Sequence, residues 1–257
     1  MNPELFVETR GHGPDVVFLH GWAMNGAVWR PVAERLAGDF CCHLVDLPGH
    51  GGSGMVEPYS IDAMVAALDA VFPLPVQVVG WSLGGAVATR WALAQPEKVR
   101  SLTLVASSPC FAQRDDWQPA MPLATLEQFA SSLQTDWRGT LKRFISLQAM
   151  GDASARVVAR ELTDELFAHG EPHAEALAAA LELLRNTDLR DEISRLALPM
   201  LLQYGDRDTL TPLGAAVWLS AQQPNATFIV HRGAAHVPFV SHLDDFVAMQ
   251  RKFLAAV

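Results

Sequence analysis

Gly80-Trp81-Ser82-Leu83-Gly84 is the stretch of this chain whose residue types and spacing could do chemistry. It follows an apolar run, Val76-Gln77-Val78-Val79, that reads as a strand, and it opens a helix-like segment from Gly84 to Ala94. A Gly-x-Ser-x-Gly turn between strand and helix is so sharp that side chains at either glycine would collide with neighbouring backbone. The serine hydroxyl then points out of the turn. The first N–H groups of the helix lack partners and can face a developing negative charge. That is the setting of a serine nucleophile. The plain alternative is an ordinary strand–turn–helix junction carrying a small polar residue.

A serine is a poor nucleophile without a base, so an acid and a histidine should follow it in that order. Pro199-Met200-Leu201-Leu202-Gln203-Tyr204-Gly205 reads as a buried strand ending in the polar turn Asp206-Arg207-Asp208. Ala226 to His231 reads as a further strand, and the loop after it, Arg232-Gly233-Ala234-Ala235-His236, carries a histidine. Asp208 and His236 thus follow two successive strands, at the sheet edge where Ser82 also sits. Open α/β sheets place their sites at this carboxyl edge. Where a fold carries such a serine turn, its acid usually falls three residues past the glycine that ends the later strand, which favours Asp208 over Asp206, whose alternative role is turn formation.

The chain has nine histidines. His236 is singled out by position. His20 ends the strand Val16-Val17-Phe18-Leu19 and reads as a structural residue of the following loop. His50, within Pro48-Gly49-His50-Gly51, reads as a loop residue acting at most through another group. His12 falls in an expected hairpin turn. His43, His169, His173, His231 and His242 have no catalytic context. An acyl-transfer site also needs fixed N–H donors for its oxyanion. The expected donors are the backbone N–H groups of Leu83 and of Trp22, in Leu19-His20-Gly21-Trp22. The Trp22 ring would form part of the pocket wall, the alternative being a core or lid tryptophan.

Together, Leu19-His20-Gly21-Trp22, Val45-Asp46-Leu47-Pro48-Gly49-His50-Gly51, Gly80-Trp81-Ser82-Leu83-Gly84-Gly85 and Tyr204-Gly205-Asp206-Arg207-Asp208 resemble the α/β-hydrolase superfamily. Other segments narrow the likeness to the pimeloyl-[acyl-carrier-protein] methyl ester carboxylesterases of bacterial biotin synthesis. These are Val105-Ala106-Ser107-Ser108-Pro109-Cys110-Phe111, the run Arg143 to Gly151, Asn186-Thr187-Asp188-Leu189-Arg190 and the run Ala234 to His242. The resemblance runs from about Phe6 to the C-terminus. It implies an α/β-hydrolase fold, a mostly parallel doubly wound sheet with a helical cap. It implies ester hydrolysis through Ser82, Asp208 and His236, with substrate contacts at Trp22, Ser82, Leu83, Phe144, Ile145, Ser146, Leu147, Gln148 and His236. The residues alone reach a serine esterase, and a general short-chain carboxylesterase or lipase or a carbon–carbon bond hydrolase would use the same triad. Dehalogenases and epoxide hydrolases generally carry Asp where this chain has Ser82. A non-catalytic ligand-binding member of the fold could dispense with part of the triad. The mechanism needs no metal or organic cofactor.

Length and pattern place the sheet elements around these motifs. At 257 residues, half of them hydrophobic, one α/β domain with an insertion is expected. The chain reads as strand, strand, helix, strand, helix, strand, helix, strand up to about Ser107, and the next strand waits until Pro199. The intervening residues are helix-like. Residues 1–110 and 190–257 are therefore assigned to the core and 111–189 to the cap. The formal net charge of −9 argues against nucleic acid or an anionic membrane as partner. Cys41, Cys42 and Cys110 form neither a disulfide framework nor a metal-ligand spacing. No stretch reaches transmembrane length, and a cytoplasmic monomer is expected.

Against that acidic background, the interval Arg138 to Arg160 carries five basic residues, Arg138, Lys142, Arg143, Arg156 and Arg160, and one acidic residue, Asp152. Arg138 and Lys142 are spaced to share a helix face, as are Arg156 and Arg160. A focused basic patch can steer an acidic partner, and the resemblance implies acyl carrier protein. A solvated basic face is the alternative. Phe144 and Leu147 have helical spacing and could line an acyl channel, with Gln148 as a polar contact, or simply pack the cap.

Overall fold

The computed structural model describes residues 4–257; residues 1–3, assigned above to the core, lie outside the described residues. Seven strands form one sheet: β1 (Val7–Gly11), β2 (Asp15–Leu19), β3 (Cys41–Val45), β4 (Val76–Trp81), β5 (Val99–Val105), β6 (Met200–Gly205) and β7 (Thr227–His231). Their order is β1-β3-β2-β4-β5-β6-β7. Only β1 runs antiparallel, against β3. The inner strands β4 and β6 are buried along their whole length, as parallel strands covered on both faces must be.

Helices α1 (Arg30–Leu36), α2 (Ile61–Val71), α3 (Leu83–Ala94), α8 (Leu213–Gln222), α9 (Pro238–Ser241) and α10 (Leu243–Leu254) surround the sheet. α1 packs with α10, α2 with α3, and α8 on β6. Local chemistry sets their ends. The Ser60 hydroxyl accepts the Ala63 N–H at 3.1 Å and starts α2. α10 carries Asp244 and Asp245 in its first turn and Arg251 and Lys252 in its last, matching the helix dipole.

Between β5 and β6 come α4 (Leu123–Thr135), α5 (Trp137–Gln148), α6 (Ala155–Glu165) and α7 (Ala174–Asn186). Specific polar contacts seat these four on the core. The Asn25 amide donates to the carbonyls of Glu165 and Leu166 at 2.9 and 3.1 Å. His169 reaches the fully buried Asp46 at 3.0 Å and Glu8 at 3.3 Å. Glu8 is also held by Arg30 at 2.8 Å. Burial opposes the charge on Glu8, but the hydrogen bonds from Arg30 and Arg10 bring its pKa down to about 2. Among the described residues, no helix is long and apolar enough to cross a membrane.

The hairpin expected around His12 does not form. The chain reverses there, but β1 pairs with β3 and β2 lies on the other side of β3. β2 is almost wholly buried and pairs on both edges, whereas β1 is half-exposed and serves as the sheet edge. Cys41, without metal-ligand spacing in sequence, meets Asp15 and His43 with ligand atoms within 4.8 Å. The group lies at the amino ends of β2 and β3, opposite the edge carrying Ser82, and His43 is hydrogen-bonded to Asp15 at 2.8 Å.

Candidate active site

Ser82 sits in the turn from β4 to α3 with φ 53° and ψ −119°, a left-handed conformation that costs a non-glycine residue of order 1–3 kcal/mol. The surroundings enforce it. A Cβ on Gly80 would lie 2.4 Å from the Gly84 carbonyl, and one on Gly84 would lie 2.4 Å from the Leu19 carbonyl. The Ser82 carbonyl accepts the Gly85 N–H at 2.9 Å and the Ser107 hydroxyl at 2.8 Å. The turn therefore has no slack, and its side chain is presented at the carboxyl end of the sheet.

His236 and Asp208 meet at that edge. His236 Nδ1 is 2.8 Å from Asp208 Oδ2, and both side chains are buried. A ring nitrogen facing a carboxylate carries the proton, which leaves the Nε2 lone pair available as base. The Asp208 carboxylate is itself fixed. Oδ1 accepts the N–H groups of Leu210 and Thr211 at 2.8 and 3.0 Å, and the Thr211 hydroxyl lies 2.6 Å from Oδ2. Asp206 instead accepts the Gly233 N–H at 2.7 Å and shapes the turn. The indole N–H of Trp81 donates to the His236 carbonyl at 3.0 Å, tying the His236 loop to the residue before Ser82. The Ser82 hydroxyl makes no hydrogen bond among the described residues. Nucleophile–base contacts are often loose before substrate binds and tighten in the reacting complex.

The loop after β2 approaches the serine closely. A Cβ on Gly21 would lie 3.2 Å from the Ser82 Cβ. This brings the backbone around Trp22 beside Leu83, the first residue of α3, whose N–H has no intrahelical partner. His20 holds the loop in shape, with Nδ1 donating to the Gly21 carbonyl at 2.8 Å and Nε2 accepting the Leu47 N–H at 2.9 Å. Burial first, then the neighbouring His50, pushes the His20 pKa well below its usual value, so the ring is neutral. His50 is fully buried and its pKa is lowered to about 4, mainly by burial; its Nε2 has no partner among the described residues.

The helices over this edge supply a wall. The Trp22 indole N–H donates to the Leu177 carbonyl of α7 at 2.9 Å, and its ring meets Phe144 edge-on at 4.7 Å. Ile145 is buried beside Phe144 on α5. Gln148 is fully buried, its carbonyl accepts the His236 N–H at 3.2 Å, and neither side-chain amide atom has a partner among the described residues. An orphaned buried amide is costly unless a ligand satisfies it. Leu147 is half-buried and lines, with Phe129 and Arg143, a 260 Å³ cavity between α4 and α5 whose lining includes none of Ser82, Trp22, Phe144 and His236. Ser146 is not brought into the pocket. It lies on the exposed face of α5, its hydroxyl donating to the Lys142 carbonyl at 3.0 Å.

The basic residues lie on the exposed surface of α5 and α6. Arg138 is engaged by Glu171 at 2.5 Å and lies over the Trp137 ring at 4.3 Å. The Arg143 guanidinium donates to the Thr140 hydroxyl at 2.8 Å. Among the described residues, Lys142, Arg143, Arg156 and Arg160 form no ion pair with the protein's own carboxylates. Sequence reasoning missed Thr211, whose signal is its place three residues after Asp208, the spacing at which an Asp side chain bonds forward to backbone. It also missed Ser107 and the tie from Trp81 to His236.

A sharp serine turn, a buried Asp–His pair and a helical cover at the carboxyl edge of a parallel sheet define a serine hydrolase of the α/β type. The sequence matches the alpha/beta hydrolase family over residues 16–249, and the chain belongs to that family. It is 50% identical over 243 residues to a Chromobacterium violaceum protein named pimeloyl-[acyl-carrier protein] methyl ester esterase, covering 95% of each chain. A protein of the same name from Aeromonas salmonicida is 44% identical over 250 residues, covering 96% of this chain and 98% of that one. Among solved structures, the esterase EaEST from Exiguobacterium antarcticum superimposes with a TM-score of 0.88 at 22% identity, covering 98% of this chain and 96% of that one. A bromoperoxidase from Bacillus anthracis gives 0.91 at 22% identity, with the same coverage. At such identity these two structures speak for the fold alone.

Proposed function

We propose that this chain is a serine carboxylesterase that hydrolyses the methyl ester of pimeloyl-[acyl-carrier protein] in biotin synthesis. The observation that carries the reaction class is the buried Asp208–His236 pair at 2.8 Å, set against the strained turn of Ser82. The near-full-length relatives support the acyl group and carrier.

The reaction runs in two halves. Ser82 Oγ attacks the ester carbonyl carbon while His236 Nε2 takes the hydroxyl proton. Asp208 keeps the ring in the required tautomer and stabilises the imidazolium. The Leu83 and Trp22 N–H groups receive the oxyanion, each such donor contributing about 3 kcal/mol to the rate. As the tetrahedral intermediate collapses, the carbon–methoxide bond breaks and His236 protonates the leaving oxygen, releasing methanol. Water, deprotonated by His236, then attacks the acyl-serine, and collapse returns the proton to Ser82 and frees the carboxylate product. Trp22 and Phe144 form the acyl wall, Leu147 lines the neighbouring cavity between α4 and α5, and Gln148 offers its amide to the ester or chain.

The acidic carrier docks on the outer face of α5 and α6. Lys142, Arg143, Arg156 and Arg160, free of internal ion pairs, suit that role; Arg138 contributes once released from Glu171. The three thiols are free, which suits a reducing cytoplasm. The test compares one acyl group in two settings, pimeloyl methyl ester on acyl carrier protein and on a small thiol. At low salt kcat/KM should be about tenfold or more higher on the carrier, the gap closing as salt screens the patch. Equal kcat/KM at every salt concentration would remove the carrier from the account.

A further inference from the structure

Asp152 is the one acidic residue between Arg138 and Arg160. It lies in the turn joining α5 to α6, where Met150, Gly151, Ala153 and Ser154 are exposed but Asp152 is buried. Its Oδ1 accepts the Ser154 N–H at 2.7 Å and its Oδ2 accepts the Ala235 N–H at 3.2 Å. Ala235 directly precedes His236 and is itself buried. Two further bonds join the same segments. The Ala153 N–H donates to the Gly233 carbonyl at 3.4 Å, and the His236 N–H donates to the Gln148 carbonyl at 3.2 Å.

The loop bearing the base is thus held from two sides. The core holds it through Arg207, whose N–H donates to the Ala234 carbonyl at 2.9 Å, and through Trp81 at the His236 carbonyl. The turn after α5 and the last residue of α5 satisfy the consecutive N–H groups of Ala235 and His236, through Asp152 and the Gln148 carbonyl. Those donors are buried, so without acceptors they would pull the loop toward another arrangement. Among the described residues, Asp152 supplies the only side-chain acceptor in this strap. Its carbonyl also accepts the Ala155 N–H at 3.2 Å, at the start of the helix carrying Arg156 and Arg160.

We infer that Asp152 is a positioning residue for His236, fixing the base through the Ala235 N–H and joining its geometry to the seating of α5 and α6. This rests on the serine-esterase reading, but not on the identity of the acyl group. The test uses the full chain, a p-nitrophenyl ester too small to reach the basic face, and the variants Asp152→Ala and Asp152→Asn. Asp152→Ala should lower kcat by about ten- to a hundredfold with KM within about twofold, the signature of a misplaced base. Asp152→Asn keeps one acceptor oxygen and should fall between Asp152→Ala and the parent. Amide hydrogen exchange should accelerate in Asp152→Ala within residues 233–237 and not across α5 or α6. Should Asp152→Ala fail to fold, Asp152→Ser replaces it, because its shorter hydroxyl reaches Ser154 and not Ala235. Unchanged kcat, a loss confined to KM, an Asn variant as slow as the Ala variant, or unchanged exchange at 233–237 would each overturn the inference. The exchange arm does not depend on turnover, so failure of the esterase reading registers separately, as an inactive parent.

Discussion

Replacing Gly84 with alanine sets two effects of opposite sign against each other. In an unobstructed helix, alanine is favoured over glycine by about 1 kcal/mol. Here the new Cβ would lie 2.4 Å from the Leu19 carbonyl oxygen, 2.5 Å from the His20 carbonyl oxygen and 2.7 Å from the Leu19 carbonyl carbon. A comfortable carbon–oxygen contact is about 3.3 Å, so roughly 0.9 Å of displacement is required. α3 cannot supply it. Its Gly84 carbonyl already abuts Gly80, and a Cβ on Gly85 would lie 2.3 Å from the Ser107 hydroxyl. The β2 loop must move instead, carrying Gly21 and Trp22 away from Ser82. Overpacking of this kind costs about 1–3 kcal/mol, which outweighs the gain in helix propensity. A misplacement near 1 Å at the oxyanion donors costs about a hundredfold in rate. Gly84→Ala should therefore show a lowered Tm, and kcat on a p-nitrophenyl ester reduced about a hundredfold. A raised Tm with kcat within twofold of the parent would refute the account of the turn.

Thr211→Val removes the hydroxyl 2.6 Å from Asp208 Oδ2; a hydrogen bond to a charged group is worth about 1.5–3 kcal/mol, so kcat should fall at least about tenfold with KM unchanged. Reversing Arg156 and Arg160 to Glu should raise KM for the carrier-linked ester and leave a small free ester unaffected; equal effects on both would sink the docking reading. Acidification should destabilise the fold. The pKa values of His50 and His231 are lowered to about 4, chiefly by burial, against a usual 6.5. The unfolded chain therefore binds more protons between pH 6.5 and 4. Stability present above 6.5 is lost as pH falls through that window, by about 3 kcal/mol for a group as buried as His50. Denaturant midpoints at pH 7 and pH 4.5 measure it, and equal midpoints would contradict the burial of neutral imidazoles.

Much of the site is legible in the sequence because its constraints are local. The glycines at 80 and 84 report crowding within one turn, and Asp208 is marked out by its distance from Gly205. The pieces that escaped are held together by contacts with no local pattern. His169 and Asp46 are separated by 123 residues, and Asp152 and Ala235 by 83. Such pairs join two surfaces that only the folded chain brings together. Ser146 teaches a different lesson. Thr140, Leu141, Phe144, Ile145 and Gln148 are the buried positions of α5 and follow the helical period, and Ser146 falls between them on the outside. A contiguous run of substrate contacts, 144 to 148, cannot lie on one face of a helix. The expected hairpin at His12 failed because adjacency in sequence does not decide which edge of β3 a strand takes.

Ser82 is proposed above to demethylate a carrier-linked ester. Intact-protein mass spectrometry of pimeloyl methyl ester on acyl carrier protein, with the parent and with Ser82→Ala, reads that reaction as a change in mass. With the parent, the acylated carrier should lose one methylene mass with its thioester to the carrier intact, and with a folded Ser82→Ala variant its mass should not change. An unchanged carrier with the parent, or equal conversion by Ser82→Ala, would contradict the proposal.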